Sequence, residues 1–159
     1  MLNSDILRRL RYALDISDLK MIEIFKLGGY ETDKEELAAM LKKEDEEGYL
    51  ACNDNKMESF LDGLIFLKRG KKDSAPDLAK KVNTKLTNNK IFKKLRIALE
   101  LRGDDILAIL KLANLSVSKS ELNALFRREG HKHYKVCGDQ FLRNFLKGLT
   151  IINRNGKII

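Results

Sequence analysis

Residues 129–149, EGHKHYKVCGDQFLRNFLKGL, decide the fold because they repeat an earlier stretch of the same chain, residues 44–64, EDEEGYLACNDNKMESFLDGL. The two stretches align without a gap at an offset of 85 residues. The identical pairs that we take as the structural repeat signature are Glu44 with Glu129, Tyr49 with Tyr134, Cys52 with Cys137, Asp54 with Asp139 and Gly63 with Gly148. A long ungapped match of this kind indicates an internal duplication.

The pattern of apolar residues predicts helices in both copies. Apolar residues recur at helical spacing in four segments of each copy, as Ile6 and Leu10 do in the first copy and Ile91 and Leu95 in the second. Charged residues make up 34% of the chain, which has only one proline, and this composition favours amphipathic helices. We therefore predict an all-α fold of two tandem four-helix repeats related by approximate twofold symmetry.

The repeats and the segment between them set the predicted domain organisation. We place the first helical repeat at 1–69, a connector at 70–87 and the second helical repeat at 88–159. The connector is either a short helix that starts near Pro76 or a flexible linker.

Short polar residues at the predicted helix starts are candidate N-caps. Gly28 and Gly29 are predicted to end the second helix. The predicted N-caps are Asn3 or Ser4 for the first helix, Ser17 for the second, Asp33 for the third, Asp54 and Asp139 for the fourth helix of each repeat, and Ser118 in a capping box with Glu121.

Charge is divided unequally between the repeats. Residues 1–69 carry 11 Lys+Arg and 15 Asp+Glu, a net −4, whereas residues 88–159 carry 15 and 6, a net +9. On the fourth helix, Glu58 and Asp62 of the first copy align with Arg143 and Lys147 of the second. Because each pair is spaced i, i+4, each forms one charged stripe.

Basic side chains of the second repeat form the predicted nucleic-acid-binding set, which consists of Lys90, Lys93, Lys94, Arg143 and Lys147. Alternatively, the Arg143/Lys147 stripe pairs with Glu58 and Asp62, or the two repeats meet a protein partner. Arg127 and Arg128 are interpreted as residues that favour a helix C-terminus.

At the loop and the fourth helix the chain resembles the YehS-like bacterial proteins, a family of unknown function. The residues that carry the resemblance are those at 43–48, 60–65, 68–70, 129–132, 134 and 137–140. The resemblance spans essentially the whole chain and implies a cytoplasmic, all-helical protein with two repeats. It implies no activity, cofactor or catalytic residue.

Metal-ligand and nucleophile types occur together in one loop of the second copy, at His131, His133 and Cys137. The first copy has Glu46 and Gly48 in place of the two histidines, and the spacing matches no strong zinc pattern. We therefore favour a structural loop over a metal site or a Cys/His catalytic pair.

No other sequence feature predicts catalysis. The chain has no Gly-rich phosphate loop, nucleophile elbow or dinucleotide fingerprint, so we assign no catalytic residue and no cofactor. Arg11 with Glu44, and Arg96 with Glu129, are predicted to brace the repeats as ion pairs, with a duplicated anion site as the alternative.

The start of the chain shows no signal-peptide pattern, and no apolar run reaches the length of a membrane span, so we predict a cytoplasmic protein with no membrane association. In that compartment Cys52 and Cys137 are expected to be buried, reduced thiols.

Three classes of function remain. A non-enzymatic module that binds nucleic acid without sequence preference and a protein-interaction module rank equally. An enzyme or metal protein centred on the histidine loop ranks below both. The oligomeric state is left open.

Overall fold

Four helices form each repeat in the computed structural model, which describes residues 1–70 and 85–154. The helices are α1 (Asn3–Ala13), α2 (Asp18–Leu27), α3 (Lys34–Leu41), α4 (Asp54–Arg69), α5 (Asn88–Ala98), α6 (Gly103–Leu112), α7 (Lys119–Leu125) and α8 (Asp139–Arg154). The described residues contain no strand. The predicted all-α fold of two tandem four-helix repeats is confirmed, whereas the twofold relation between the repeats stays a prediction.

The chain divides into two compact units, Met1–Leu86 and Thr87–Ile159. Leu86 is buried in the first unit, where its N–H donates to Asp54 Oδ2 at 3.1 Å. The predicted helix or linker near Pro76 lies outside the described residues.

Aromatic rings occupy the centre of each core. In the first unit Phe25 lies against Phe60, with ring centroids 5.1 Å apart, and both side chains are fully buried. In the second unit Phe92 meets Phe145 edge to face at 5.0 Å. Phe60 and Phe145 are equivalent in the two repeats, but their partners come from different helices, so each core keeps an aromatic pair through a different element.

The fourth helix of each repeat crosses the second helix at a glycine that leaves no room for a side chain. A Cβ atom added at Gly63 would lie 1.7 Å from the carbonyl oxygen of Ile24. At the equivalent crossing, a Cβ added at Gly148 would lie 2.0 Å from the carbonyl oxygen of Ile109. Two backbones therefore touch at the same position in both repeats, which explains why the signature contains these glycines.

Three of the predicted N-caps are confirmed. The side chains of Ser17 and Asp33 accept hydrogen bonds from N–H groups of α2 and α3, and Ser118 forms a capping box with Glu121.

The predicted N-caps of α1 and α4 are wrong. Asn3 and Ser4 lie within α1, and Leu2 occupies the N-cap position. Asp54 is the first residue of α4, which is capped by the Asn53 side chain through the N–H of Lys56 at 2.8 Å.

The signature aspartates have a different role, as acceptors for the first helix of their own repeat. Asn3 Nδ2 donates to Asp54 Oδ1 and to the carbonyl of Cys52, both at 2.9 Å. Asn88 Nδ2 donates to Asp139 Oδ1 at 2.7 Å and to the carbonyl of Cys137 at 3.1 Å. These hydrogen bonds tie the start of the first helix to the start of the fourth, so the loop before the fourth helix is held against the first helix.

We predict that Gly63→Ala and Gly148→Ala each lower the free energy of unfolding. Alanine is a better helix former than glycine, but its methyl group would have to push a backbone carbonyl aside, and overpacking of this kind costs about 1–3 kcal/mol. Chemical denaturation followed by circular dichroism measures the change. Gly103→Ala is the control because its Cβ would meet only Leu122 Cδ2 at 3.9 Å. Unchanged stability in both test variants would contradict the close crossing.

Candidate anion-binding site

A cleft of about 370 Å³ opens in the second unit between the start of α5 and the segment that follows α7. We call it the cationic cleft. Four of its side chains are basic and one is acidic. It is lined by Thr87, Asn89, Lys90, Lys93, Leu125, Phe126, Arg127, Arg128, Glu129 and Tyr134.

Asn89 positions the two walls of the cationic cleft. Its Nδ2 group donates to the carbonyls of Leu125 at 3.0 Å and Lys135 at 2.8 Å, and its Oδ1 accepts from the N–H of Cys137 at 2.9 Å. One buried amide therefore satisfies three backbone groups of the segment from 125 to 137. The same contacts hold this segment against α5, where Lys90 and Lys93 lie one turn apart.

Phe126 forms a packed wall of the cleft. Its ring stacks on Phe92 with centroids 4.9 Å apart, and the guanidinium carbon of Arg96 lies 4.5 Å from its ring centroid. These contacts hold Phe126, which directly precedes Arg127, against α5.

The equivalent place in the first unit is closed by its own side chains. Arg8, which aligns with Lys93, donates through Nη1 to the carbonyls of Leu41 at 3.3 Å and Lys42 at 2.8 Å. Its Nη2 atom forms an ion pair with Asp5, which aligns with Lys90. The guanidinium therefore spans from α1 to the end of α3 and is neutralised there.

In the second unit these closing groups are replaced. Lysine stands in place of Asp5, so the carboxylate is gone, and the single ammonium group of Lys93 replaces the forked guanidinium of Arg8. The side chains of Lys93, Arg127 and Arg128 are all exposed. Across residues 1–70 and 85–154, no hydrogen bond or ion pair engages these three side chains. Positive charge thus accumulates around the cleft.

Tyr134 adds a hydroxyl group to the cationic cleft. In the first unit its equivalent, Tyr49, shares a hydrogen bond with Ser4 Oγ at 3.3 Å. In the second unit Asn89 replaces Ser4, and its amide is already bound to the backbone. Burial, together with the charge of Glu129, raises the pKa of Tyr134, so the phenol remains protonated and can donate.

The residues predicted from the sequence fall partly inside this site. Lys90 and Lys93 line the cleft, whereas Lys94 is a half-buried residue elsewhere on α5. On α8, Arg143 is half-buried and donates to Gln140 Oε1 at 3.2 Å, and Lys147 is exposed. Their role in nucleic-acid binding stays a prediction.

The charged stripes of α4 and α8 differ in burial as well as in sign. Asp62 is only 1% exposed, whereas its counterpart Lys147 is exposed. Asp62 therefore forms no part of an exposed acidic stripe. The predicted pairing of Arg143 and Lys147 with Glu58 and Asp62 stays a prediction.

Sequence reasoning missed the contribution of Arg127 and Arg128, which were interpreted as helix-end residues. The signal that could have found them is the loss of the Asp5–Arg8 pair at Lys90 and Lys93, since like charges on one helix turn repel each other unless an anion lies nearby.

The predicted pairing of Arg11 with Glu44 and of Arg96 with Glu129 is wrong. Arg11 forms an ion pair with Asp18 at 2.8 Å. Arg96 Nε donates to the carbonyl of Leu101 at 3.1 Å. Both arginines therefore fasten the turn between the first two helices of their repeat.

The histidine loop does not assemble the weakly predicted metal site. The rings of His131 and His133 lie 5.7 Å apart, and the N–H of His133 donates to His131 Nδ1 at 3.0 Å. Among the residues that the structure describes, no three His, Cys, Asp or Glu side chains converge as a metal site requires. That the protein holds no metal stays a prediction.

The cysteines are buried at equivalent positions, as predicted, and neither forms a disulfide. Cys52 is 5% exposed and Cys137 2%. Burial raises the pKa of each thiol to about 12. Because the reactive species is the thiolate, both groups are poor nucleophiles at neutral pH.

We predict that neither thiol is labelled quickly in the native protein. A rise in pKa from 9.0 to about 12 lowers the thiolate fraction roughly a thousandfold at pH 8, and burial slows access further. Labelling of native and denatured protein with a maleimide, followed by mass spectrometry, measures both rates. Fast labelling of either cysteine before denaturation would show that its surroundings are open.

The described helices include none that is both long and apolar enough to cross a membrane. The family described as "Protein of unknown function (DUF1456)" matches the chain twice, at residues 3–70 and 88–155. The chain is also 48% identical over 150 residues to the uncharacterized protein YehS of Escherichia coli strain K12, across 94% of this chain and 95% of that protein. No solved structure matches it. The chain therefore belongs to the DUF1456 family, and each of its two repeats corresponds to one copy of the family's unit.

Proposed function

We propose that this protein is a non-enzymatic module that binds nucleic acid through its basic second repeat. The observation that carries the proposal is the difference between equivalent places in the two repeats. In the first, Arg8 is neutralised by Asp5 and by backbone carbonyls. In the second, Lys93, Arg127 and Arg128 surround an open cleft.

Phosphate contacts are the interactions that such a surface can supply. Lysine and arginine bind nucleic acid mainly by neutralising phosphates and releasing counterions, and these contacts carry no base information. Phe126 is already engaged by Phe92 and Arg96, which supports binding without base stacking on that ring. We therefore expect tolerance of sequence.

We predict micromolar binding to mixed-sequence oligonucleotides that weakens steeply with salt. Non-specific binding has dissociation constants of about 10⁻⁴–10⁻⁶ M at physiological salt, and about five duplex phosphate contacts give a log–log slope of roughly −4 to −5. Fluorescence anisotropy with duplex and single-stranded DNA and RNA at several salt concentrations measures both quantities.

A matched pair of double variants tests which repeat is responsible. Lys93→Glu with Arg127→Glu should weaken binding and reduce the magnitude of the duplex slope by about 1.8, since two phosphate contacts are lost. Lys26→Glu with Lys34→Glu makes the same change in net charge on exposed residues of the first repeat. Equal weakening by both pairs, or no binding at low salt, would rule out the proposal.

A protein partner is the second candidate. The observation that favours it is the run of four exposed acidic residues at 44–47, which aligns with residues 129–132, directly after Arg127 and Arg128 in the second repeat. Such a loop on another molecule would complement the cationic cleft. Sedimentation of the protein alone at low and high salt tests self-association of this kind. A monomer at all protein concentrations would leave no support for pairing between copies.

A further inference from the structure

We propose that the cationic cleft is a phosphomonoester site, which takes the terminal phosphate of a nucleic-acid strand or the phosphate of a nucleotide. For the strand-bound ligand, the inference rests on the function proposed above. It goes further because it distinguishes a terminal phosphate from the phosphodiesters along a strand.

The shape of the site favours a chain end. The charges of the cleft surround a concave space of about 370 Å³, a size in the range of small-molecule pockets, which run from about 300 to 1,000 Å³. An internal phosphodiester has a sugar on both sides and stays on the convex edge of its strand. A terminal phosphate has one sugar and can enter the cleft with its three outer oxygens facing the protein.

The donors of the cleft match a dianion. Lys93, Arg127 and Arg128 supply three positive charges, and the protonated hydroxyl of Tyr134 adds a neutral donor. A phosphomonoester carries a charge of about −1.5 to −2 at pH 7 and three strong acceptor oxygens. Arginine's planar fork can engage two of these oxygens at once. A phosphodiester offers one charge and two outer oxygens, so it satisfies fewer of the donors.

The single carboxylate of the cleft further favours a phosphate that is attached to a sugar. Glu129 repels a second phosphate but can accept a hydrogen bond from a ribose hydroxyl. The ligand that uses every group is therefore a phosphate attached to a sugar, and inorganic phosphate should bind more weakly than a nucleoside monophosphate.

The first repeat shows how the same scaffold looks without such a site. The guanidinium of Arg8 stands where Lys93 stands in the second repeat. Asp5 of the same helix supplies the negative charge that a bound anion would supply. Replacing Lys90 by Asp and Lys93 by Arg would reproduce this closed arrangement in the second repeat. Because the chain already carries that pair at the equivalent positions, the variant is expected to fold.

The test compares single-stranded 12-mers that differ only in their ends. Anisotropy is measured for a 5′-phosphorylated, a 3′-phosphorylated and an unphosphorylated strand, with adenosine 5′-monophosphate and inorganic phosphate as competitors. At least one phosphorylated strand should bind about tenfold more tightly, as expected for additional charge-assisted hydrogen bonds. Adenosine monophosphate should compete better than inorganic phosphate.

Two variants assign that preference to the cleft. Lys90→Asp with Lys93→Arg should abolish the difference between phosphorylated and unphosphorylated strands. Lys111→Glu, an equal change in charge at an exposed residue outside the cleft, should keep it. If the closed variant does not fold, Arg127→Gln with Arg128→Gln provides the same comparison.

The outcomes separate the site from the proposed function. Equal affinity for all three strands, with no competition by adenosine monophosphate, would overturn the phosphomonoester site even if nucleic-acid binding stands. Calorimetry that detects adenosine monophosphate binding, and its loss in the closed variant, would support the site even if no oligonucleotide binds. A preference for phosphorylated strands that survives closure of the cleft would also overturn it.

Discussion

The close approach of two helix backbones in each repeat is the constraint on which the rest of the molecule depends. Gly63 and Gly148 allow the fourth helix to touch carbonyl groups of the second, and any side chain there would separate the pair. The separation of these helices sets the space that the buried phenylalanines fill. The start of the fourth helix is then tied to the first helix by an asparagine, Asn3 or Asn88. The segment preceding the fourth helix is thereby held beside the first helix, where the second repeat has its cleft.

This shared scaffold lets the two copies differ in charge without differing in fold. In the first repeat an arginine and an aspartate at one helix turn satisfy each other and the end of α3. In the second, two lysines occupy those positions on the same helix turn. Neither of these two substitutions lies at the glycine crossing, so they leave the packing of the core unchanged. The two copies thus share one scaffold and differ in charge at these positions.

The fold was predictable because its signals are local and repeated. Helical spacing and the capping serines act within a few residues, and duplication supplied these signals twice. The wrong assignments concern polar side chains that had more than one candidate partner, near or far in sequence. Asn3 caps no helix because its amide reaches Cys52 and Asp54. Arg11 turns to Asp18 rather than Glu44. Only part of the cleft could be predicted from the sequence. Lys90 and Lys93 lie on one helix face, which the spacing reveals. Arg127 and Arg128 lie near them only because Asn89 binds the backbone of the segment that follows α7.

In the first repeat Arg8 is bound by Asp5 and by the end of α3, whereas at the equivalent place in the second repeat Lys93, Arg127 and Arg128 line an open cleft. The most direct measurement is a titration of isotopically labelled wild-type protein with adenosine 5′-monophosphate, followed residue by residue in amide NMR spectra. We expect saturable shifts at Lys93, Arg127 and Arg128, and none at the first-repeat equivalents Arg8, Lys42 and Lys43. Comparable shifts in both repeats, or shifts that avoid the cationic cleft, would contradict it.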